Sequence, residues 1–242
     1  MDHVQLAVFE QLGMPGEAFG WYSLSQAAKK QFSQPNVVII QCASESACRP
    51  GNLHLGMSED AFAHENGLIT KSEIRAVALS KLALRPGQTL WDLGAGSGAV
   101  GIEAAALLGP GRIIAVEQKA SRVDQIRANA KKWKVFNLDV VQSRLPDGLD
   151  KLPPPDRIFI GGGGRRLTSI ISLAVGCLAS TGIIVINTIL LSSLAAASDT
   201  LENEGLTVEV VQVQISRGKA MPQSQRLVSQ DPVWIITGVK NE

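Results

Sequence analysis

From Gly67 onward, short apolar runs alternate with longer stretches in which apolar residues recur every three to four positions. The runs at 89–93, 112–116, 138–142, 156–160 and 183–187 read as strands. The stretches at 99–108, 120–132, 166–178 and 191–203 read as helices. Strands apolar at nearly every position are buried on both faces, so the pattern predicts a mostly parallel sheet between two layers of helices. An earlier helix is expected after Thr70, which together with Glu73 spells a capping box, with Ile74, Val77, Ala78 and Leu82 on one stripe. Arg85-Pro86-Gly87 is a turn. Two later strands, about 206–215 and 232–238, are joined by a polar stretch too short for a crossover helix. They predict an antiparallel hairpin at one sheet edge.

Residues 1–64 are weakly patterned. NVVIIQ (36–41) is a strand, Leu24 to Lys30 a short helix and Pro50-Gly51-Asn52 a loop. A segment of this size is too small to build a full core, which makes it a remnant of a larger domain or a docking extension. The chain shows neither an internal repeat nor a low-complexity tract.

Composition narrows the class. Of 242 residues, 45% are hydrophobic and 19% charged, a globular balance. A net charge of +1 leaves no field to drive binding to nucleic acid or to a membrane surface. The uncharged stretch Leu167–Ser198 is long enough to span a bilayer, but Ser180-Thr181-Gly182 and Asn187 interrupt it. It reads as helix, turn and strand. Cys42, Cys48 and Cys177 have neither metal-type nor disulfide-framework spacing. With an N-terminus that lacks the pattern of a signal peptide, they suggest a reducing, cytoplasmic setting.

The candidate cofactor motif is LWDLGAGSGAVG (90–101), a strand running through a glycine-rich turn into a helix. Glycines allow close backbone approach to a ligand, and the helix N-terminus offers free N–H groups. Gly96, Gly98 and Gly101 match the dinucleotide fingerprint, while Gly94, Gly96 and Gly98 match the GxGxG loop of S-adenosylmethionine (SAM) methyltransferases. The dinucleotide reading would run the strand through Asp92 and Gly94. The SAM reading places Asp92 at the strand end, where it can orient the loop and meet the cationic methionyl group, and is preferred. Glu117 closes the next strand, where a carboxylate can accept both ribose hydroxyls of either cofactor.

No His follows His64, and the single Tyr is Tyr22. Chemistry in the main domain must therefore lean on Asp, Glu, Lys, Arg or the substrate itself. Methylation of an electron-rich carbon suits this inventory, because the enzyme then mostly positions its reactants. Cys177 lies in an apolar helix and reads as core. Where amino-methylating enzymes carry an Asn/Asp-Pro-Pro-aromatic motif, this chain has Gly161-Gly162-Gly163-Gly164. With only 5% aromatic residues, this argues against base methylation. Arg165 and Arg166 follow the glycines, and Arg217, Lys219 and Arg226 cluster later. Guanidinium groups suit bidentate carboxylate binding.

Several stretches together resemble the decarboxylating precorrin-6B C15-methyltransferase family of cobalamin biosynthesis. They are AHENGLITKSEIRA (63–76), WDLGAGSGAVGIE (91–103), FIGGGG (159–164), ISRG (215–218) and DPVWIITG (231–238). QPNVVII and RPGNLHLGMSEDAF look similar to the tail of the C5-methylase domain that precedes this one in bifunctional versions. The resemblance implies an α/β class I methyltransferase domain over residues 63–242, Rossmann-like and seven-stranded, behind a C5-methylase remnant over 1–62. It implies methylation of a tetrapyrrole at C15 with loss of CO2 from the C12 acetate, in a homotetramer, with a separate C5-methyltransferase as a partner. Thr70, Gly94, Ala95, Gly96, Ser97 and Gly98 would contact SAM, and Glu117 its ribose. Leu145 would offer backbone contacts to the adenine, although Ser143-Arg144-Leu145-Pro146 stands where the family often has Gly-Asp-Ala-Pro. Gly161 to Gly164 would give a flat macrocycle clearance, with Arg165 and Arg217 on its carboxylates. Other readings are a methyltransferase acting on RNA or protein, and a SAM-binding partner subunit without activity of its own.

Overall fold

The computed structural model describes residues 4–42, 53–65 and 67–241. It divides into two compact units, Met1–Pro50 and Gly51–Glu242. In the first, β1 (Val4–Glu10) lies between β2 (Ala18–Ser23) and β3 (Asn36–Cys42), antiparallel to both. The expected strand is β3. β1 escapes pattern reading because Ala7 and Val8 are both buried, which breaks the alternation of a half-buried strand, and β2 because none of its residues is buried. Helix α1 (Leu24–Ala27) stops short of Lys30 and starts at a capping box made by Ser23 and Gln26. The turn expected at Pro50-Gly51-Asn52, together with Cys48, lies outside the described residues.

The second unit carries the parallel sheet. Its strands are β4 (Thr89–Leu93), β5 (Arg112–Glu117), β6 (Leu138–Gln142), β7 (Arg157–Ile160), β8 (Ile183–Thr188), β9 (Leu206–Val213) and β12 (Val233–Lys240). They are ordered β6-β5-β4-β7-β8-β12-β9. The strands from β6 to β8 are parallel, and β12 runs antiparallel between β8 and the edge strand β9. The polar stretch before β12 forms its own hairpin, β10 (Ser216–Met221) and β11 (Ser224–Ser229). That pairing was not expected, because its side chains are mostly exposed and leave no apolar signal.

Alternating strand residues feed two cores. Leu90, Ile113, Phe159, Val185 and Ile235 face helices α2 (Ser72–Leu82) and α3 (Ala99–Leu108). Trp91, Leu93, Ile158, Ile160 and Ile186 face α5 (Leu167–Cys177) and α6 (Leu191–Asn203). A third cluster packs Met57 and Phe62 against Ala99, Ile102 and Ala130, the last on α4 (Ala120–Lys132). Residues 53–62 thus share the second unit's core, and the compact division falls ahead of the boundary at 62 drawn from the resemblance. The stretch 167–198 resolves into α5, β8 and the start of α6. Among the described residues no helix is long and apolar enough to cross a membrane.

Candidate functional site

The carboxyl ends of β4, β7 and β8 open onto a cleft of about 500 Å³. Open α/β sheets bind ligands at this edge, and the volume suits a small-molecule site. β4 enters the cleft through Gly94-Ala95-Gly96-Ser97-Gly98, whose three glycines have φ of +74°, +58° and +76°. L-side chains rarely adopt this conformation. The N–H groups of Gly94 and Ala95 donate to the Val116 carbonyl at 2.9 and 3.1 Å, and the Gly96 N–H donates to Glu117 Oε2 at 3.0 Å. Oε1 of Glu117 accepts from the N–H groups of Gln118 and Lys119, both at 3.0 Å. The loop is therefore anchored along its length to the end of β5.

Asp92 is buried just below the loop. Its Oδ2 accepts the Gly101 N–H at 3.0 Å, while Oδ1 is shielded and has no partner. Burial pushes its carboxyl up to about 7; the Gly101 hydrogen bond opposes the shift and the Glu117 charge adds to it. Leaving a shielded polar atom unpaired costs about 1–3 kcal/mol. A cationic ligand beside Oδ1 would relieve that cost and favour the ionised form.

β7 delivers the second glycine stretch to the same place. The Gly161 N–H donates to the Leu93 carbonyl at 3.0 Å. A Cβ on Gly94 would lie 3.1 Å from the Gly162 carbonyl oxygen, and one on Gly161 3.4 Å from the Gly94 oxygen. The two turns therefore approach backbone to backbone. A Cβ on Gly163 would come within 2.9 Å of Leu167, and Gly164 has φ of +50°. Gly162 alone in the string meets neither constraint: a Cβ there touches nothing within 4 Å.

The opposite wall, residues 67–71, is held by a polar network that pattern reading missed. Glu103 and Arg75 form a fully buried ion pair at 2.7 Å. Arg75 also donates to the carbonyls of Thr70 and Met57, and Glu103 accepts the N–H groups of Gly56 and Met57 at 2.8 and 3.0 Å. Asn129 accepts the Ala63 N–H at 2.8 Å and donates to the carbonyls of Ala63 and Ser97, both at 2.9 Å. It ties the wall to the glycine loop. The one available signal was Glu103, a lone charge inside the apolar helix AVGIEAAALL. The capping box expected at Thr70 does not form. α2 begins at Ser72 with no side-chain cap from Lys71, and the Ser72 N–H donates to Glu59 at 2.7 Å instead.

Thr70, Asp92, Gly94, Ala95, Gly96, Ser97 and all four glycines from Gly161 to Gly164 line the cleft. Gly98 caps α3 behind it, where a Cβ would meet Ile126 at 2.8 Å. Glu117 is buried under the loop. Leu145 packs on the core, its carbonyl accepting from Arg166 at 3.3 Å, and Arg165 is exposed. None of these four is a lining residue.

Arg217 is not brought to the cleft either. Its guanidinium binds Glu59 at 2.7 Å and also Glu73 and Ser72, because β10 carries it over the start of α2. The Arg217 hydrogen bond pulls the Glu59 carboxyl down to about 2. The cations that do line the cleft are Lys71 and Arg122. Among the described residues no cluster of His, Cys, Asp or Glu could hold a metal ion.

Comparison with known proteins agrees with this architecture. Residues 60–240 match the family model described as precorrin methyltransferase domain. A Pyrobaculum calidifontis protein named "Probable cobalt-precorrin-6B C(15)-methyltransferase (decarboxylating)" is 40% identical over 185 residues, covering 75% of this chain and 94% of its own. A precorrin-6Y C(5,15)-methyltransferase [decarboxylating] of a Sinorhizobium species is 37% identical over 76% of this chain, but the match spans 44% of the relative. The crystal structure of a precorrin-6y C5,15-methyltransferase from Geobacter metallireducens superposes with a TM-score of 0.74 at 44% identity, covering 77% of this chain and 97% of that one.

Proposed function

Since the chain belongs to the precorrin methyltransferase family, we propose that it methylates C15 of precorrin-6B or its cobalt form and decarboxylates the C12 acetate side chain. The observation that carries this reading is the pair of glycine turns at the ends of β4 and β7, packed backbone to backbone in a cleft that Asp92, with its unpaired oxygen, also lines.

SAM, when bound, supplies an electrophilic methyl group on a sulfonium. The residues present fit it. Asp92 Oδ1 offers a carboxylate oxygen to the cationic methionyl end, Gly94 to Gly98 bring backbone within reach, and Thr70 closes the facing wall. Glu117 acts at the ribose side, its carboxylate already oriented by three backbone N–H groups. Leu145 is proposed for a backbone contact near the adenine.

Gly161 to Gly164 let a flat macrocycle lie against the backbone, and Gly162 is the position at which space is left open. Phe159, Leu167, Ile189 and Leu190 provide apolar wall and exclude water. Arg165, exposed beside the string, serves peripheral carboxylates. The ring carbon is the nucleophile, so the chain needs no His or Tyr, and it has neither beyond His64. The test is mass spectrometry of precorrin-6B incubated with SAM and the protein. The expected product has gained one methyl and lost CO2; an unchanged tetrapyrrole would overturn the reading.

The proposal extends to residues 1–62 as a remnant of a C5-methylase domain, supported by the likeness of QPNVVII and RPGNLHLGMSEDAF to the tail of such a domain. A homotetramer, a C5-methyltransferase partner and a cytoplasmic setting belong to the same proposal. Light scattering of the purified chain tests the first of these.

A further inference from the structure

Among the described residues, three side chains hold shielded polar atoms without a hydrogen-bond partner: Asp92, Asn187 and Thr237. Asp92 is accounted for by a cationic cofactor. Asn187, at the end of β8, also lines the cleft, and both its Nδ2 and its Oδ1 are unpaired.

Register places it. Ile160 pairs with Ile186, so Asn187 follows one step on, level with Gly161. It stands opposite Ile235, which faces α2 and α3, so its side chain leaves the sheet on that face. Asp92 leaves on the same face, two residues after Leu90. One strand, β7, separates the two, so their strands lie roughly 10 Å apart. The cofactor end of the cleft is at β4, which puts Asn187 at the substrate end.

The wall contributed by the segments after β4 is uncharged and largely apolar. The lining residues from Phe159 to Val233 include Leu167, Ile189, Leu190 and Ser193 but no Lys, Arg, Asp or Glu; the cleft's two cations, Lys71 and Arg122, come from other segments. The Thr188 hydroxyl already accepts the Leu190 N–H at 3.2 Å. A carboxylate entering this end meets the neutral amide of Asn187, the hydroxyls of Thr188 and Ser193, and hydrocarbon; of these polar groups the amide is the one with both its atoms shielded and unpaired.

We propose that Asn187 positions the acetate carboxylate that is lost as CO2, donating from Nδ2 to one of its oxygens. The assignment rests on the function proposed above. In that step the bond between the methylene and the carboxylate carbon breaks and CO2 departs neutral. The bonding pair stays on the methylene carbon and the conjugated ring, and a proton from water completes the new methyl group. Negative charge leaves the carboxylate as the bond breaks. A full cation clamped on it would stabilise the starting state more than the transition state. A neutral donor in an apolar wall orients the group while holding it less firmly, and exclusion of water acts in the same direction. Exposed Arg165 is left for carboxylates that must stay.

The test is Asn187→Leu in the full chain, assayed with SAM and the tetrapyrrole by mass spectrometry, alongside SAM titration and thermal melting. Methylated product that keeps its carboxylate should accumulate, with CO2 released per methyl transferred falling about tenfold or more, on the scale of one lost hydrogen bond. SAM affinity should hold, and the melting temperature should rise because an unpaired shielded amide has gone. Asn187→Gln, which keeps the amide, should recover part of the CO2 release. An unchanged ratio of CO2 to methyl in Asn187→Leu overturns the assignment, as does a matching fall in SAM affinity, which would make Asn187 a cofactor contact. A wild-type protein that neither methylates nor decarboxylates overturns the functional reading and this inference with it.

Discussion

Gly94 to Gly98 and Gly161 to Gly164 end neighbouring parallel strands and meet in one cleft, yet their glycines exist for different reasons. In the first turn, Gly94, Gly96 and Gly98 all have positive φ, and side chains on Gly94 and Gly98 would strike Gly162 and Ile126. The protein's own geometry demands them. In the second, Gly161, Gly163 and Gly164 answer to contacts or φ, but Gly162 answers to nothing inside the molecule. A glycine without an internal reason, at the mouth of a binding cleft, is best explained by what must come close to it. The two kinds of glycine are alike in sequence and differ in the space around them.

The sharpest test of the contrast is Gly94→Val against Gly162→Ala. Valine at 94 combines a left-handed backbone with a near contact to the Gly162 carbonyl. It should lower stability by about 2 kcal/mol or more and abolish SAM binding, read by melting and calorimetric titration. A stable, SAM-binding Gly94→Val would mean that the first turn is as permissive as the second.

Next in size is Asp92→Asn, which should weaken SAM by about 10- to 100-fold, or roughly 1.4–3 kcal/mol. Its pH behaviour follows from the raised pKa. With the folded carboxyl near 7 and an ordinary value of 3.8, the stabilising contribution is fully present below about 3.8 and is lost as pH rises towards 7. The free protein should melt progressively lower across that window, and the Asn variant should lack this trend. SAM binding near pH 6–7 should release a proton, seen as a buffer-dependent heat. A buffer-independent heat would place the cation away from Asp92.

Gly162→Ala should shift stability by no more than about 0.5 kcal/mol and leave SAM affinity unchanged, while raising the KM for the tetrapyrrole several-fold. Wild-type kinetics in this variant would remove the clearance argument. The smallest effect belongs to Arg165→Ala, an exposed charge at the rim: a loss in tetrapyrrole kcat/KM of about threefold to tenfold without loss of SAM affinity. Equal damage to both would make Arg165 a structural residue.

The legibility of the chain followed the strength of its local signals. The strands β4 to β8 and helices α3, α4 and α6 lie where the pattern puts them, because buried parallel strands are short and apolar, α4 and α6 carry an apolar stripe, and α3 is apolar over a length too great for a strand. The loop at 94–98 was readable because left-handed turns select glycine. Reading failed where residues are chosen by distant partners. Arg217 looked like a substrate clamp and is bound instead to Glu59 and Glu73, both more than 140 positions away in the chain. Thr70 looked like a helix cap, but the carboxylate of Glu59 took that place. Asn129 and Arg75 look like ordinary polar helix residues until the fold wraps the 53–71 segment around them.

Sequence by itself determined the order of elements, the parallel sheet, the glycine turn with Asp92 before it and Glu117 closing the next strand, and the scarcity of acid–base side chains that leaves the chemistry to the reactants. These are local properties, set by side-chain period, backbone freedom and composition. Tertiary structure decided which cations reach the cleft, which glycine is left open, and that Asp92 and Asn187 stand unpaired on one face of the sheet. Those facts depend on strand order and on the exclusion of water by packing, and both arise only when residues far apart in the chain are brought together.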